Sequence, residues 1–150
     1  MSLFFKQMSG CLFNVICKRD SNNLREKMCH ILVIEDNPVN MELTVDLLES
    51  YGYKVTPAED GFVALEKVKD IQFDLILLDI QLPKMDGLEV LSHLKGNDST
   101  KEVPVIALTA HSMRGDDERF IAAGCIDYIS KPIDIHAFKE KVQYHLEASN

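Results

Sequence analysis

The sequence predicts an α/β fold, a single five-stranded parallel sheet with helices on both faces. Three observations carry this reading. Short apolar runs of strand length alternate five times with amphipathic stretches of helical length, the pattern of right-handed strand–helix–strand crossovers. The run Leu75-Ile76-Leu77-Leu78 is apolar at every position, as a strand covered on both sides must be. Gly, Pro and Asn punctuation falls between the runs.

Taken in order, residues 1–27 show no clear period and end in the polar stretch Arg19 to Lys27. They read as an extension outside the main fold, with room for some helix, and Met28 would be a sensible alternative start. The regular pattern then covers residues 28–148. Ile31-Leu32-Val33-Ile34 is the first strand, broken by Glu35-Asp36-Asn37-Pro38. Asn37 can cap a helix with Pro38 at its first position. Val39, Leu43, Leu47 and Leu48 recur at helical spacing, and Gly52 ends that helix. Tyr53 to Thr56 is a short, half-polar strand suited to an edge. Gly61 to Lys69 is the second helix. The third strand ends at Asp79, and Pro83 and Gly87 force a loop before a helix from Gly87 to Lys95. Val103 to Leu108 is the fourth strand, with Pro104 at its start, where a missing donor matters least. A helix from Met113 to Ala123 stops at Gly124. Ile126 to Ile129 is the fifth strand. Asp134 to Glu147 is the last helix, with Ile135, Phe138, Val142 and Leu146 on its buried stripe. Five strands so connected favour the flavodoxin-like order 2-1-3-4-5, with a switch point between the first and third.

Charge narrows the partners. The net charge of -8 argues against nucleic acid as a direct ligand. Lys6, Lys18, Arg19, Arg25 and Lys27 against Asp20 and Glu26 leave the first 27 residues at +3. The remaining 11 basic and 22 acidic residues give -11, which suits a metal cation or a basic partner. No run reaches the ~18 apolar residues of a membrane span, and residues 1–17 lack the unbroken apolar centre of a secretory signal. Cys11, Cys17, Cys29 and Cys125 match neither zinc-site spacing nor a disulfide framework. Reduced thiols and a cytoplasmic location are therefore expected, with Cys125 a small core or helix-end residue. His30, His93, His136 and His145 read as surface or strand-end histidines, and Asp60 and Asp86 as turn or cap residues.

All strands of a parallel sheet point one way, so their exits share an edge. Four exits carry chemistry: Glu35-Asp36, Asp79, Thr109 and Lys131. Three carboxylates together repel unless a cation holds them, and hard oxygen donors suit Mg²⁺. A lysine and a hydroxyl opposite them complete a site for a phosphoryl group. No Walker lysine loop, GxGxxG, HExxH or Ser-His-Asp order is present.

The pieces Ile34-Glu35-Asp36-Asn37, Leu77 to Gly87, Ala107-Leu108-Thr109-Ala110 and Ser130-Lys131-Pro132 resemble the response-regulator receiver family, the CheY-like domains, in the family's order and over about residues 28–148. A narrower likeness links Asp79 to Pro83, Gly87 to Val90 and Tyr128 to Ile133 with stand-alone receivers of the DivK type. The resemblance implies that Asp79 is the nucleophile accepting a phosphoryl group from a phosphohistidine. It implies that Asp36 and Asp79 ligate Mg²⁺ directly, Glu35 through water and Gln81 through its backbone carbonyl. Lys131 would pair with phosphoryl oxygens, and Lys131-Pro132 would be cis. Thr109 and the backbone N–H of Ala110 would close on the phosphate. Glu35 stands where the family often has Asp. Tyr128 matches the switch aromatic, turning inward as Thr109 moves and repacking the face of the fourth helix, fifth strand and fifth helix. Gln81 and His111 lie where the family tunes phosphoryl lifetime.

Implied partners are a histidine kinase or histidine phosphotransfer protein and a downstream protein target at that face, for a monomer or weak dimer that is not otherwise an enzyme. Only Ala148 to Asn150 follow the last helix, so output is expected through protein contacts. An aspartyl phosphatase would want an Asp at position 81, where Gln81 stands. A flavin carrier would set its phosphate against Glu35, Asp36 and Asp79.

Overall fold

The computed structural model describes residues 16–19, 26–110 and 116–148, and side chains from 28–110 and 118–148. Five strands form one parallel sheet: β1 (His30–Ile34), β2 (Lys54–Ala58), β3 (Leu75–Asp79), β4 (Val105–Thr109) and β5 (Asp127–Ser130). Their order is β2-β1-β3-β4-β5, the order expected. The helices are α1 (Pro38–Ser50), α2 (Gly61–Asp70), α3 (Gly87–Lys95), α4 (Asp116–Ala123) and α5 (Ile135–Ala148). Ile16–Arg19 and Glu26–Met28 pair antiparallel as a separate two-stranded sheet, so these parts of the extension are strand rather than helix.

The period of two in the strands divides the core. Ile31, Val33, Leu75, Leu77, Ile106, Leu108 and Ile129 meet Leu48 of α1 and Phe138, Val142 and Leu146 of α5. Leu32, Ile34, Ile76, Leu78, Val105 and Ala107 meet Ala64, Val68, Val90, Leu91, Leu94 and Phe120 of α2, α3 and α4. Every residue of β3 is buried, and each of its aliphatic side chains contributes about 1.5–3 kcal/mol by leaving water. That burial fixes where β3 must end: the first charged side chain, Asp79, falls at the sheet edge.

Several boundaries differ from the sequence reading for local reasons. β2 runs on through Pro57 to Ala58 because it is an edge strand, where a missing donor costs no ladder bond. β4 starts after Pro104, whose carbonyl accepts from Ile76 N–H at 3.0 Å. α5 begins at Ile135 because Asp134 caps it, accepting from the N–H groups of His136 and Ala137. Ile135, Val39 and Leu43, expected on apolar stripes, are 53%, 72% and 46% exposed. They lie in the N-terminal halves of α1 and α5, and spacing alone does not say how much of a stripe the sheet covers. Residues 113–115 of the expected fourth helix lie outside the described residues. Asp60 and Asp86 cap α2 and α3 as expected. Cys125 is buried and free. Cys29 is buried but disulfide-bonded, which corrects the expectation of reduced thiols: pairing is set by which segments meet in the fold, which cysteine spacing does not encode.

Candidate functional site

The parallel sheet delivers its exits to one edge, and the local structure there aims each side chain. After β1, Asn37 accepts from the N–H groups of Val39 and Asn40 at 2.9 and 3.1 Å and starts α1. That turn buries Glu35 against the sheet and leaves Asp36 exposed. Asp79 ends β3, and its Oδ1 accepts from Gln81 N–H at 2.9 Å, a local turn that holds the carboxylate. Gly87 lets α3 press against this exit. A Cβ there would stand 2.6 Å from the Asp79 carbonyl oxygen and from Ile80 Cα, and its N–H donates to Ile80 O at 3.1 Å. Thr109 is buried at the end of β4. Its carbonyl accepts from Lys131 N–H at 2.7 Å, which brings the cis Lys131-Pro132 bond to the same edge.

The side chains converge. Lys131 Nζ donates to Glu35 Oε2 at 2.6 Å and to Asp79 Oδ2 at 3.0 Å. Glu35 and Asp79 are 2% and 4% exposed. One carboxylate oxygen each from Glu35, Asp36 and Asp79 lie within 4.8 Å of one another. Among the described residues one ammonium, Lys131, bonds two of these three carboxylates, so they carry more negative charge than it offsets. Burial, and then the charge of Asp79, push the Glu35 carboxyl above its ordinary value, against the pull of Lys131. Burial alone would lower Lys131, but its hydrogen bonds to Glu35 and Asp79 outweigh it and raise the ammonium. A close-set group of hard oxygens with surplus charge fits a divalent cation such as Mg²⁺. The flavin alternative meets that same repulsive charge.

The structure thus brings together Glu35, Asp36, Asp79 and Lys131, and sets Thr109 on the neighbouring strand end. Gln81 contributes its backbone at this edge while its side chain is exposed. Ala110 is exposed immediately past β4. His111 lies outside the described residues. Tyr128 is half-buried on β5, opposite Ala107. His145, read from the sequence as a surface histidine, is instead buried, with Nε2 2.9 Å from Asp127 Oδ2. The sequence reading also missed Lys141, whose Nζ lies 4.8 Å from the Tyr128 ring centroid. The only hint was that Lys141 and His145 are four apart on one helix, hence on one face.

A doubly covered parallel sheet with an acidic pocket, a lysine and a hydroxyl at its exit edge defines a phosphoryl-accepting α/β domain. The comparisons make this specific. Residues 31–143 match the response regulator receiver domain. The polar-differentiation response regulator DivK of Brucella anthropi is 45% identical over 116 residues, 77% of this chain and 94% of that protein. The receiver domain of a sensor histidine kinase from Pseudomonas aeruginosa PAO1, solved with a magnesium ion coordinated in its active site cleft, superposes with a TM-score of 0.73. It is 36% identical, over 79% of this chain and 97% of that one. Chemotaxis protein CheY4 of Vibrio cholerae superposes with a TM-score of 0.75 at 25% identity, over 79% of this chain and 98% of its own. The chain belongs to the response regulator receiver domain family, the phosphoaccepting side of two-component signalling. Among the described residues no helix is long and apolar enough to cross a membrane.

Proposed function

We propose that Asp79 is the phosphoacceptor of this receiver and that Glu35, Asp36, Asp79 and the Gln81 carbonyl hold Mg²⁺ beside it. The observation that carries this is the double contact of Lys131 with Glu35 and Asp79 inside a group of three carboxylates. The bound cation would supply charge neutralisation for a phosphoryl group. The Asp79 carboxylate attacks the phosphorus of a phosphohistidine on a histidine kinase or phosphotransfer protein. The P–N bond breaks, the imidazole leaves with its electron pair and takes up a proton, and an acyl phosphate remains on Asp79. Lys131 then exchanges its Asp79 contact for phosphoryl oxygens, while Thr109 and the Ala110 N–H close on the third side. The chain's work is positioning and charge compensation, and it turns over no other substrate.

Thr109 and Tyr128 form the switch in this reading, and Gln81 and His111 tune the lifetime of the acyl phosphate. Output passes to a protein target at the α4–β5–α5 face, where Ile121 and Tyr144 are exposed, with the protein a cytoplasmic monomer or weak dimer. The residues before Met28 stand outside this domain. The test is labelling by acetyl phosphate with and without Mg²⁺, in wild type and Asp79→Asn. Labelling should require the metal and vanish in the variant. Labelling that survives Asp79→Asn would place the acceptor elsewhere.

A further inference from the structure

We propose that Lys141 is a positioning residue that holds Tyr128 in its half-buried orientation and so sets how readily the β5–α5 face rearranges. This rests on the reading of Tyr128 as a switch. One ammonium grips residues 127 and 128 at three points. Lys141 Nζ donates to the Tyr128 carbonyl at 2.6 Å and to Asp127 Oδ1 at 3.3 Å, and it stands 4.8 Å from the Tyr128 ring centroid. The grip is itself anchored. Asp127 Oδ1 also accepts from Tyr128 N–H at 2.7 Å, and Asp127 Oδ2 lies 2.9 Å from Nε2 of buried His145, one helical turn beyond Lys141.

The place of the ring gives the grip its meaning. Tyr128 pairs with Ala107, and Ser130 pairs with Thr109. Period-two alternation therefore puts Tyr128 and Thr109 on one face of neighbouring strands. The ring packs against the core beneath α2, α3 and α4. A ring that moves toward Thr109 must leave the Lys141 ammonium, so the cation–ring attraction opposes the movement. Attraction of this kind at a partly exposed site corresponds to roughly a two- to fivefold bias between the two ring positions. The carbonyl bond holds the backbone in either case, so the bias acts on the side chain.

The test uses full-length protein labelled with fluorotyrosine. Its four tyrosines are Tyr51, Tyr53, Tyr128 and Tyr144, and Tyr128→Phe assigns the relevant ¹⁹F signal. Lys141→Met keeps the aliphatic stem and removes the cation. It should move the Tyr128 signal in metal-free protein while the other three stay in place. It should also lower the beryllofluoride concentration, with Mg²⁺, that half-converts the Tyr128 signal by roughly two- to fivefold. Lys141→Arg should restore both. If Lys141→Met does not fold, Asp127→Asn removes the lateral anchor and should shift the Tyr128 signal in the same direction. An unmoved Tyr128 signal in folded Lys141→Met overturns the proposal. Wild type that never responds to beryllofluoride would instead sink the receiver chemistry proposed for Asp79, while the metal-free arm still decides the role of Lys141.

Discussion

The two edges of the sheet use similar side chains to opposite ends. At the edge where the strands begin, polar side chains serve backbone groups. Asp74 accepts from His30 N–H at 2.8 Å, and Lys95 Nζ donates to the carbonyls of Lys101 and Val103 at 3.2 and 3.1 Å. Thr100 Oγ1 donates to Leu94 O at 2.6 Å. A groove of about 960 Å³ lies there, and two of the charged groups lining it, Asp74 and Lys95, are engaged in these bonds. At the exit edge, Lys131 joins side chains 96 and 52 residues away, and a third carboxylate, Asp36, lies beside the two it bonds. What marks the exit edge as reactive is a cluster of carboxylates drawn together from separate strand ends.

The largest effect should come from removing the Lys131 ammonium that pairs with Glu35 and Asp79. Lys131→Ala leaves Glu35 and Asp79 buried against each other without compensation. A loss of about 3–5 kcal/mol is expected in urea unfolding without metal, since breaking a buried pair strands its partner. Mg²⁺ should return part of it by binding only the folded state. A loss below about 1 kcal/mol, the scale of a surface pair, would break the contrast between the edges. Gly87→Ala should come next. The added Cβ meets backbone at 2.6 Å, and backbone cannot swing aside as a side chain tip can. About 1–3 kcal/mol of overpacking is expected, with weaker Mg²⁺ binding as the Asp79 exit shifts. Unchanged metal affinity would separate α3 from the placement of Asp79.

The exit edge was legible in the sequence because its determinants are local. Apolar runs set strand ends, parallel strands share a direction, and so Glu35, Asp36, Asp79, Thr109 and Lys131 had to gather. What escaped depends on how elements pack. Helical spacing defines the stripe holding Ile135, Val39 and Leu43, but not how much of that stripe is covered once the helix has docked. His145 looked solvent-facing because its partner Asp127 lies on a strand that α5 reaches only in the folded chain. The grip of Lys141 on Tyr128 was hidden for the same reason.

A control on the opposite edge sharpens the contrast. Lys95→Met keeps the stem that packs along Gly124 and gives up two bonds to carbonyls. Burial already lowers Lys95 from its ordinary value, so the charge is held at a cost. The net loss should be about 1 kcal/mol, the usual worth of such bonds, with Mg²⁺-dependent labelling unchanged. Reduced labelling would mean that the two edges communicate.

The subtlest test reads the surplus charge through protons. Glu35 is raised above its ordinary 4.5, chiefly by burial. The folded chain therefore holds this proton more tightly than the unfolded chain does. Its contribution to stability is full below pH 4.5 and is lost as pH rises through the raised folded value. Asp127 has the opposite sign. Burial would raise it, but bonds from His145, the Tyr128 N–H and Lys141 bring it below 3.8. Its contribution is present above that value and fades as pH falls through the lowered one. Lys131, raised above 10.5, contributes fully below that value and loses its contribution only as pH climbs through the raised one. As pH rises from 4.5 through the raised Glu35 value, Glu35 alone of these groups tilts stability downward. Glu35→Gln should flatten that tilt in metal-free urea midpoints. Mg²⁺ should flatten or invert it in wild type, because the cation favours the charged carboxylate that burial disfavours. Equal slopes in wild type and variant would mean that Lys131 already balances the pocket, and the difference between the two edges would then be one of wiring rather than of charge.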